Sequence, residues 1–561
     1  MEQIQTIDDS PVNFASCFKM ALFSHPHKRA IIYPVNRDKN ERIAYTHMTF
    51  LELDRESDCI AHGLEKAGIC KGTKTLIMVK PGFEYFILVL SLLKAGAVPV
   101  LIDMSMDKTR ILTAIKRAEP EAMIATSSFH MMRIRTRKNL RFFKSIKTLV
   151  TIGTRFMWGG FRINDIIKSP WRPYGVAEVE PEDAAIIHFG LDGISAGKGK
   201  IYSHKFLINL INKLQAIFKI DEDEIDFPTL PILDLISLSL GMTIVITNSD
   251  FKPQNSFSDI IENIKYHGVT NLFASPNLLN KISSFITERE GGVSSLKRVV
   301  AVGPVTYPSI LSPFDKILSE QTEFYSCYGG ADDYISLISV IESSEIFTEA
   351  KPLTDQGFGI CIGRPFGDIN LKIIKISDEP IYEWSDDLLV TDGDIGEIIV
   401  SDNLLSKSCF GNCRNEISAK IQDKDKFFRR LGDLGWKDKK GRIWFCGRKN
   451  HRIITNNGTL FTIPCESIFN NHSKVLKSAL VALDAKPEQT PVMCIEVNPD
   501  DIDFDKEALK EQLLDLAKQN VQTEYIQIIL FHKSFPVDFL HNINILRKSL
   551  TKWAKRIYET T

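Results

Sequence analysis

The sequence lacks an excess of either charge, a complete zinc-binding pattern and a long uninterrupted apolar run. Its 69 Lys and Arg residues are balanced by 70 Asp and Glu residues, so nothing in the overall charge favours binding to nucleic acid. Ten cysteines are scattered along the chain. Cys409 and Cys413 lie close together, but no second pair or nearby histidine completes a zinc pattern. We expect no nucleic-acid partner and free thiols in a reducing compartment.

The apolar segments favour buried elements over a membrane span. The longest run, Phe83–Ile102, is interrupted by Lys94, Gly96 and Pro99, and it divides better into a buried helix followed by a strand. The first ten residues, MEQIQTIDDS, are acidic and lack an apolar core, so we expect no signal peptide. These features predict a cytoplasmic protein.

A chain of 561 residues is too long for a single core, so we expect two or more domains. Short apolar runs alternate with helical patterns over the first two-thirds, which favours parallel sheets flanked by helices. The predicted strands are Thr75–Val79, Ala97–Ile102, Ala122–Thr126, Thr148–Ile152, Ala184–Phe189, Met242–Thr247, Thr270–Ala274, Arg298–Val302 and Glu323–Cys327. The predicted helices include Phe83–Lys94, Phe257–His267 and Ser275–Ile286.

The pattern changes after about Gly359, where predicted strands follow one another without long helices. They suit a small β subdomain: Leu371–Ile376, Gly396–Ser401 and Arg442–Cys446. A last unit combines a helix near Asp505–Asn520 with the predicted strands Ser478–Leu483, Met493–Val497 and Gln527–Phe531. The expected fold class is α/β, with a large N-terminal domain (residues 1–446) of parallel α/β sheets plus the small β subdomain. A small C-terminal α+β domain (residues 447–561) is joined to it by a hinge at Gly447.

The most informative segment runs from Gly432 to Glu466 and reads GDLGWKDKKGRIWFCGRKNHRIITNNGTLFTIPCE. Asp433 stands in a tight glycine bracket, which we interpret as a loop. A carboxylate in that setting can accept both hydroxyls of a ribose, and Arg448 can close over the same sugar or its phosphate. The segment therefore predicts a nucleotide site.

Three other segments fit the same site. The glycines and Lys198 of Gly190–His204 could cradle phosphate, although the spacing is not that of a Walker A loop and a surface turn explains it equally well. The segment YSCYGGADD, Tyr325–Asp333, could stack a base and hold Mg²⁺, with a charged turn as the alternative. Gly303 directly follows the predicted strand Arg298–Val302 and would allow a flat ring to approach closely.

Taken in order, these segments resemble the adenylate-forming superfamily: acyl-CoA synthetases, peptide-synthetase adenylation domains and luciferases. The resemblance covers nearly the whole chain. Within that superfamily the sequence is similar to the olefin-pathway β-lactone synthetases, which are often described as fatty-acid–CoA ligases. That similarity is carried by Glu41–Asp54, His267–Leu279, Lys375–Leu389, Trp444–Arg452 (WFCGRKNHR), Gly458–Glu466 (GTLFTIPCE) and Phe535–Asn542 (FPVDFLHN).

The resemblance implies an enzyme that uses ATP and Mg²⁺ to join a fatty-acid-type carboxylate to the α-phosphate, with release of pyrophosphate. In the β-lactone subgroup the substrate's own β-hydroxyl then displaces AMP, without coenzyme A. The resemblance also assigns roles to residues. The ribose would be held by Asp433 and Arg448, and the adenine would lie against Tyr328, Gly329 and Gly303. The phosphates would be contacted by Gly197, Lys198 and Gly199, and the metal by Asp332. The pivot between the domains would be Lys449–Asn450.

The sequence departs from this family on the phosphate side. The hydroxyl-bearing residues of the family's phosphate loop are largely replaced, with Leu191, Asp192 and Ile194 among the replacements. The family's metal-coordinating glutamate is shortened to Asp332. Asn544 occupies the position of the C-terminal lysine that reaches the transferring phosphoryl group, and losing such a donor typically costs on the order of 10²–10³ in rate.

These departures leave two hypotheses open. The first is an active ligase that activates a β-hydroxy or simple fatty acid. The second is a pseudoenzyme that keeps the fold and binds a ligand or a partner. A generic α/β protein without a nucleotide site would leave the ordered segments unexplained.

One local segment stands apart from the balanced composition. Arg133–Lys147, RIRTRKNLRFFKSIK, holds seven basic residues with Phe142 and Phe143 between them. Such a segment could lie on an anionic membrane or on a partner surface, for example that of another pathway enzyme. The alternative is a solvated helix face.

Overall fold

Apolar runs form the central strands, as expected for strands that are buried on both faces. The computed structural model describes residues 12–37, 39, 43–135, 140–167, 171–190, 199–230, 232–246, 256–287, 293–329, 337–401, 409–410, 419–424, 426–486, 488–498, 505–537 and 545–560. They fall into two compact units. The first holds the described residues of Met1–Phe273, Val293–Lys297 and Asn403–Cys413, and the second those of Ala274–Gly292, Arg298–Asp402 and Arg414–Thr561.

The first unit contains a sheet that has eight strands among the described residues. Their spatial order is Cys409–Phe410, Gly199–Ser203, Ala184–Phe189, Val98–Ile102, Lys74–Met78, Ala122–Thr126, Thr148–Ile152 and Phe161–Arg162. The last six are parallel to one another, and the first two pair antiparallel. Parallel strands need crossover connections, and helices supply most of them here.

A second group of strands in this unit pairs Arg29–Arg37 antiparallel with Ile43–Thr49 and parallel with Thr243–Val245. Ile225–Pro228 pairs parallel with both Thr243–Val245 and Asn271–Ala274. The helices of the unit are Phe14–Ser24, Phe50–Lys66, Phe83–Lys94, Lys108–Ala118, Ser127–Ile134, Ile163–Ile166, His204–Phe218, Leu233–Ser239 and Ser256–His267, with a 3₁₀ turn at Arg141–Phe143.

Local sequence explains where the helix Phe50–Lys66 begins. Thr49 accepts a hydrogen bond from the backbone N–H of Glu52, and the Glu52 side chain accepts one in return from Thr49. This reciprocal capping box satisfies two amides that the helix itself leaves without partners. The helix then packs against the helix Phe83–Lys94, and Lys94 enters the interface fully buried.

The second unit is dominated by a mostly antiparallel sheet. Its described strands run in the spatial order Asn370–Ile374, Gly396–Ser401, Lys426–Lys437, Ile443–Arg448, Ile360–Pro365, Ser339–Glu342, Glu323–Tyr328 and Arg298–Gly303, with Lys420–Asp423 paired to Lys426–Lys437. The last two strands are parallel. The accompanying helices are Pro276–Thr287, Pro308–Asp315, Ser343–Glu345 and Lys351–Asp355, with a π-helical turn at Ile346–Ala350 and 3₁₀ turns at Asp386–Leu388 and Lys449–His451.

The C-terminal part of this unit has a small core of its own. The strands Val475–Ala482, Pro491–Val497 and Ile528–Phe531 form one sheet, and Ile453–Thr455 pairs with Gly458–Leu460 in a hairpin. The helices are Thr462–Asn470, Lys506–Lys518 and Arg547–Thr560. Leu509, Leu513 and Ala517 are buried in this core and Leu516 packs against it, so these four residues form the apolar face of the helix Lys506–Lys518.

The expected α/β fold class is confirmed, and the predicted strands and helices lie within a few residues of the observed ones. Only part of Arg133–Lys147 lies among the described residues, where its start belongs to the helix Ser127–Ile134, so the alternative of a solvated helix face stays a prediction. The helix ends at Ile134, and a separate 3₁₀ turn spans Arg141–Phe143. The predicted domain boundary after Cys446 falls inside the second unit and stays a prediction. Among the described helices, none is long and apolar enough to cross a membrane.

Candidate functional site

Asp433 lies on the strand Lys426–Lys437, at a bulge. On the neighbouring strand Gly396–Ser401, Glu397 pairs with Leu434 and Ile399 pairs with Arg430. One residue therefore separates the two pairs on that strand, whereas three residues separate them on the strand of Asp433. Gly432 has φ +73°, a backbone conformation that favours glycine. A bulge of this kind redirects a side chain without ending the strand. The Asp433 carboxylate is thereby turned into the protein, where the residue is 1% exposed.

Tyr328 and Gly303 end two parallel strands side by side. They are paired in register, and Tyr328 donates a hydrogen bond from its hydroxyl to Oδ2 of Asp433. Gly303 has φ +146°, and a Cβ atom added there would lie 3.5 Å from Cδ of Pro276. The ring of Phe445 lies 6.3 Å from the ring of Tyr328. A glycine and an aromatic side chain at adjacent strand ends could accommodate a flat base.

Arg448 faces Asp433 across the pair of strands. The two residues are in register, and Arg448 Nε lies 4.0 Å from Asp433 Oδ1. The Arg448 side chain is 32% exposed, so its guanidinium can reach outward, whereas the carboxylate is enclosed. A buried carboxylate next to a partly exposed guanidinium suits a neutral diol bound on one side and an anionic group on the other.

The position of Asp433 corrects the expectation of a glycine-flanked loop. The glycines that indicate a turn instead allow the bulge at Gly432 and a close strand contact at Gly435, where an added Cβ would lie 2.5 Å from the Trp444 carbonyl oxygen. Glycine signals for a loop and for a bulge are the same in a single sequence.

The remaining predicted residues divide by whether they lie among the described residues. Gly329 is buried directly after Tyr328. Gly199 lies in the first unit, where an added Cβ would lie 2.5 Å from the Phe189 ring, so strand packing alone accounts for a glycine there. Gly197, Lys198, Asp332 and Asn544 lie outside the described residues. Within the described part, no group of three or more His, Cys, Asp or Glu residues could hold a metal ion.

The predicted pivot, Lys449–Asn450, forms a 3₁₀ turn with His451. Lys449 Nζ lies 3.1 Å from both carboxylate oxygens of Glu397 and donates to the Ser377 carbonyl oxygen at 2.9 Å. Glu397 is fully buried and also accepts a hydrogen bond from Arg430 at 2.6 Å. Burial lowers the pKa of Lys449 despite this partner. Asn450 is exposed.

A second ion-pair group lies at the same turn, and no motif in the sequence indicates it. Asp378 Oδ2 accepts hydrogen bonds from Arg452 Nη2 at 2.7 Å and from Lys486 Nζ at 3.1 Å. The hydrogen bond from Arg452, reinforced by Lys486, lowers the pKa of Asp378 to about 2. Asp378 belongs to an acidic stretch whose charge is visible in the sequence, but its partners lie 74 and 108 residues away. We call Asp378, Arg452 and Lys486 the pivot clamp.

Replacing Asp378 with Asn is expected to loosen the turn at Lys449–His451. Because Asp378 is 47% exposed, water screens its ion pairs, and a screened pair contributes only about 0.2–1 kcal/mol, so amide hydrogen exchange over residues 449–455 should accelerate roughly two- to fivefold. The pKa of about 2 lies below the ordinary carboxyl value. The clamp is therefore complete above about pH 4 and is lost as the pH falls through 2, leaving no titration between pH 5 and 8.

Asp392→Asn is the matched control, since Asp392 is exposed in the same acidic stretch. It should leave exchange over residues 449–455 unchanged. High salt should accelerate exchange in the wild type and not in Asp378→Asn, because the exposed pairs are screened. Equal exchange rates in the two variants would show that the clamp does not restrain the turn.

Comparison with known proteins shows the family of the chain. The AMP-binding enzyme family matches residues 18–408. The chain belongs to the AMP-binding enzyme family. Olefin β-lactone synthetase of Stenotrophomonas maltophilia is 31% identical over 97% of this chain and 98% of its own length. The protein of the same description from Xanthomonas campestris pv. campestris is 30% identical over 97% of each chain.

Solved members of the adenylate-forming group share the fold of this AMP-binding chain. The amide bond synthetase McbA from Marinactinospora thermotolerans superposes with a TM-score of 0.74, at 18% identity, over 96% of this chain and 99% of its own. That identity supports the fold alone. The two curated relatives are described as synthetases, and they give no support to the pseudoenzyme alternative.

Proposed function

We propose that this chain uses ATP to activate a β-hydroxy fatty acid as an acyl adenylate, which then closes to a β-lactone. The observation that carries the nucleotide part is the buried Asp433 carboxylate, held beside Tyr328 and facing Arg448. The acid and lactone part rests on the olefin β-lactone synthetases, which are similar over nearly the full length of both chains.

The proposed reaction has two steps. A substrate carboxylate oxygen attacks the α-phosphorus of ATP, the bond to the β-phosphate oxygen breaks, and pyrophosphate leaves with the electron pair. The β-hydroxyl oxygen then attacks the acyl carbon and releases its proton to water, and the bond between the acyl carbon and the phosphate oxygen breaks, so that AMP leaves with the electron pair. Charge develops at the α-phosphate in the first step, so fixed cations and donors supply most of the stabilisation.

Each residue has one proposed role. Asp433 accepts the ribose hydroxyls, and Arg448 donates to the sugar or the α-phosphate. The adenine lies between Tyr328 with Gly329 on one side and Gly303 on the other. Gly197, Lys198 and Gly199 contact the phosphates on the strength of sequence alone. Asp332 would hold Mg²⁺, which would neutralise part of the triphosphate charge when bound.

We further propose that residues 1–446 and 447–561 are separate domains and that Lys449–Asn450 is their pivot. The proposal is supported by the separate small core of the C-terminal part and by the ion pairs concentrated at the turn. From the sequence and the resemblance we also propose that the protein is cytoplasmic. We propose in the same way that another enzyme of the same pathway is a partner.

The decisive experiment is ATP–pyrophosphate exchange with matched β-hydroxy and unsubstituted fatty acids of several chain lengths. Exchange above background with at least one acid is expected, and mass spectrometry should detect a β-lactone only from the β-hydroxy series. Exchange with unsubstituted acids alone would retain adenylation and reject the lactone product. No exchange with any acid would overturn the proposed activity.

Restoring phosphate-side donors is expected to accelerate exchange. The triple variant Leu191→Ser, Ile194→Thr, Asn544→Lys returns two hydroxyls and one ammonium, and a single such donor contributes about 10²–10³ in rate. Asn36→Lys makes the same charge change at an exposed strand position and should have no effect. An exchange rate that is unchanged in the triple variant would show that these positions do not contact the phosphates.

A further inference from the structure

The helix Ser127–Ile134 is flanked by two segments along the edge of the parallel sheet. On one side Phe129 packs edge-on against Phe143 of the 3₁₀ turn, with ring centroids 6.4 Å apart. On the other side His130 stacks on Trp158, at 5.2 Å. Ser127 donates to the Thr154 carbonyl oxygen at 2.6 Å. The turn, the helix and the loop of residues 153–160 are thus packed together beside the edge strand Phe161–Arg162.

This packing leaves large apolar side chains exposed between basic ones. Met157 is 87% exposed and Phe156 is 55% exposed, although the neighbouring Trp158 is anchored by a hydrogen bond to Thr151 at 2.9 Å. Met131 and Arg135, one helical turn apart, are both exposed. We define the edge surface by its exposed members, which are Met131, Arg135, Leu140, Arg141, Lys144, Arg155, Phe156, Met157 and Phe161.

Charge in this region is one-sided. Residues 127–162 include nine Lys and Arg residues and no Asp or Glu, so the rest of a chain of net charge −1 carries −10. Two of these basic residues pair with acids of neighbouring segments, since Glu121 Oε2 lies 3.9 Å from Lys147 Nζ and Asp165 Oδ1 lies 2.9 Å from Arg162 Nη2. Within the described part of the chain, Arg135, Arg141, Lys144 and Arg155 form no salt bridge.

We propose that the edge surface docks this enzyme on an anionic lipid bilayer, with Phe156, Met157 and Phe161 entering the interface and the basic residues contacting lipid phosphates. Each Lys or Arg close to an anionic leaflet contributes favourably, and exposed aromatic and Met side chains gain by leaving water. Neither contribution alone retains a protein on a membrane, but the two together do.

An acidic protein partner is the competing occupant, and the exposed apolar side chains argue against it. Met157 and Phe156 project from a loop that has glycines with positive φ at Gly153, Gly159 and Gly160. A protruding apolar loop suits insertion into a deformable interface, whereas a protein partner would need a matching pocket. The substrate class under the proposed function also partitions into membranes, so docking would bring the enzyme to its substrate.

The test is flotation of the full chain with vesicles of phosphatidylcholine alone and of equal parts phosphatidylcholine and phosphatidylglycerol. We expect binding to the anionic vesicles only, weakened at about 0.5 M salt. Arg141→Glu with Lys144→Glu should lower the partition coefficient about 100-fold. Phe156→Ser with Met157→Ser should lower it roughly tenfold at both salt concentrations.

Two matched controls isolate the edge surface. Lys437→Glu with Lys439→Glu reverses two exposed charges in the second unit. Met20→Ser with Phe23→Ser removes apolar side chains that are 59% and 80% exposed elsewhere. Both double variants should bind as the wild type does. Absence of wild-type binding to anionic vesicles, or edge-surface variants that bind like the controls, would overturn the proposal. Retention on polyglutamate without vesicle binding would assign the surface to an acidic protein instead.

Discussion

Asp433→Asn is expected to reduce ATP–pyrophosphate exchange by about 10²–10⁴-fold, because one carboxylate supplies both acceptors for the ribose hydroxyls. A hydrogen bond to a charged group contributes about 1.5–3 kcal/mol, and two of them at that strength give this range. The substitution keeps the shape of the side chain and converts one acceptor into a donor. The same loss should be found in the affinity for AMP, measured by calorimetry, since AMP retains the ribose.

The neighbours of Asp433 should show graded effects. Tyr328→Phe removes the hydroxyl that donates to Asp433 and keeps the ring, so its effect should be smaller than that of Asp433→Asn. Arg448→Gln removes the facing guanidinium and should weaken ATP more than adenosine, because adenosine lacks the phosphate. A ribose carboxylate predicts this order, and a purely structural aspartate does not.

Asp423→Asn is the control for charge, since Asp423 lies on the adjacent strand Lys420–Asp423 and is half-buried. It should leave both exchange and AMP affinity unchanged. Circular dichroism and thermal unfolding would establish that Asp433→Asn remains folded. AMP affinity within twofold of the wild type in a folded Asp433→Asn variant would exclude Asp433 as the ribose ligand.

The parallel strands were predictable because burial on both faces leaves continuous apolar runs, such as Ala122–Thr126 and Ala184–Phe189. The strand Lys426–Lys437 was missed for the opposite reason. It carries four Lys or Arg residues and two glycines, and its pairing is interrupted by the bulge at Asp433. Its strand structure depends on neighbours far away in the sequence, which a local pattern does not reveal.

Residue identities in the candidate site were predictable, but their environment was not. The sequence motifs indicated Asp433, Tyr328 and Arg448 as site residues. No local pattern indicated that the Tyr328 hydroxyl donates a hydrogen bond to Asp433, which lies 105 residues away in the chain. The pivot clamp and the exposed loop at Phe156–Met157 were missed on the same ground. Both depend on which segments meet in three dimensions.

Lys94→Met is expected to destabilise the first unit by about 3–5 kcal/mol, the usual cost of removing one partner from a buried charge group. Lys94 is fully buried, and its Nζ lies 2.6 Å from Asp54 Oδ1, 2.7 Å from Asp58 Oδ1 and 2.7 Å from Ser57 Oγ. Without it, Lys19 is the one cationic partner of the two enclosed carboxylates within the described part of the chain, at 3.5 and 3.7 Å.

A double-mutant cycle tests whether the loss arises from unpaired charge. Asp58→Asn alone should also destabilise, because it leaves Lys94 and Lys19 facing one carboxylate. The double variant Lys94→Met, Asp58→Asn should lose less than the sum of the two, by an interaction energy of about 0.5–3 kcal/mol. Additive losses would mean that packing, and not charge pairing, holds this helix interface together.

The measurement must follow the first unit, because a chain with two compact units is not expected to unfold in one transition. Hydrogen exchange of the amides of the helices Phe50–Lys66 and Phe83–Lys94 under increasing urea reports that unit directly. Lys71→Met is the matched control: Lys71 is 53% exposed and lies 4.0 Å from Asp183, so its removal should change stability by less than about 0.5 kcal/mol. A buried ion pair is often no more stabilising than apolar residues of the same volume. A stable variant in which apolar side chains replace all three of Lys94, Asp54 and Asp58 would therefore be consistent with this account. A stable Lys94→Met single variant would contradict it.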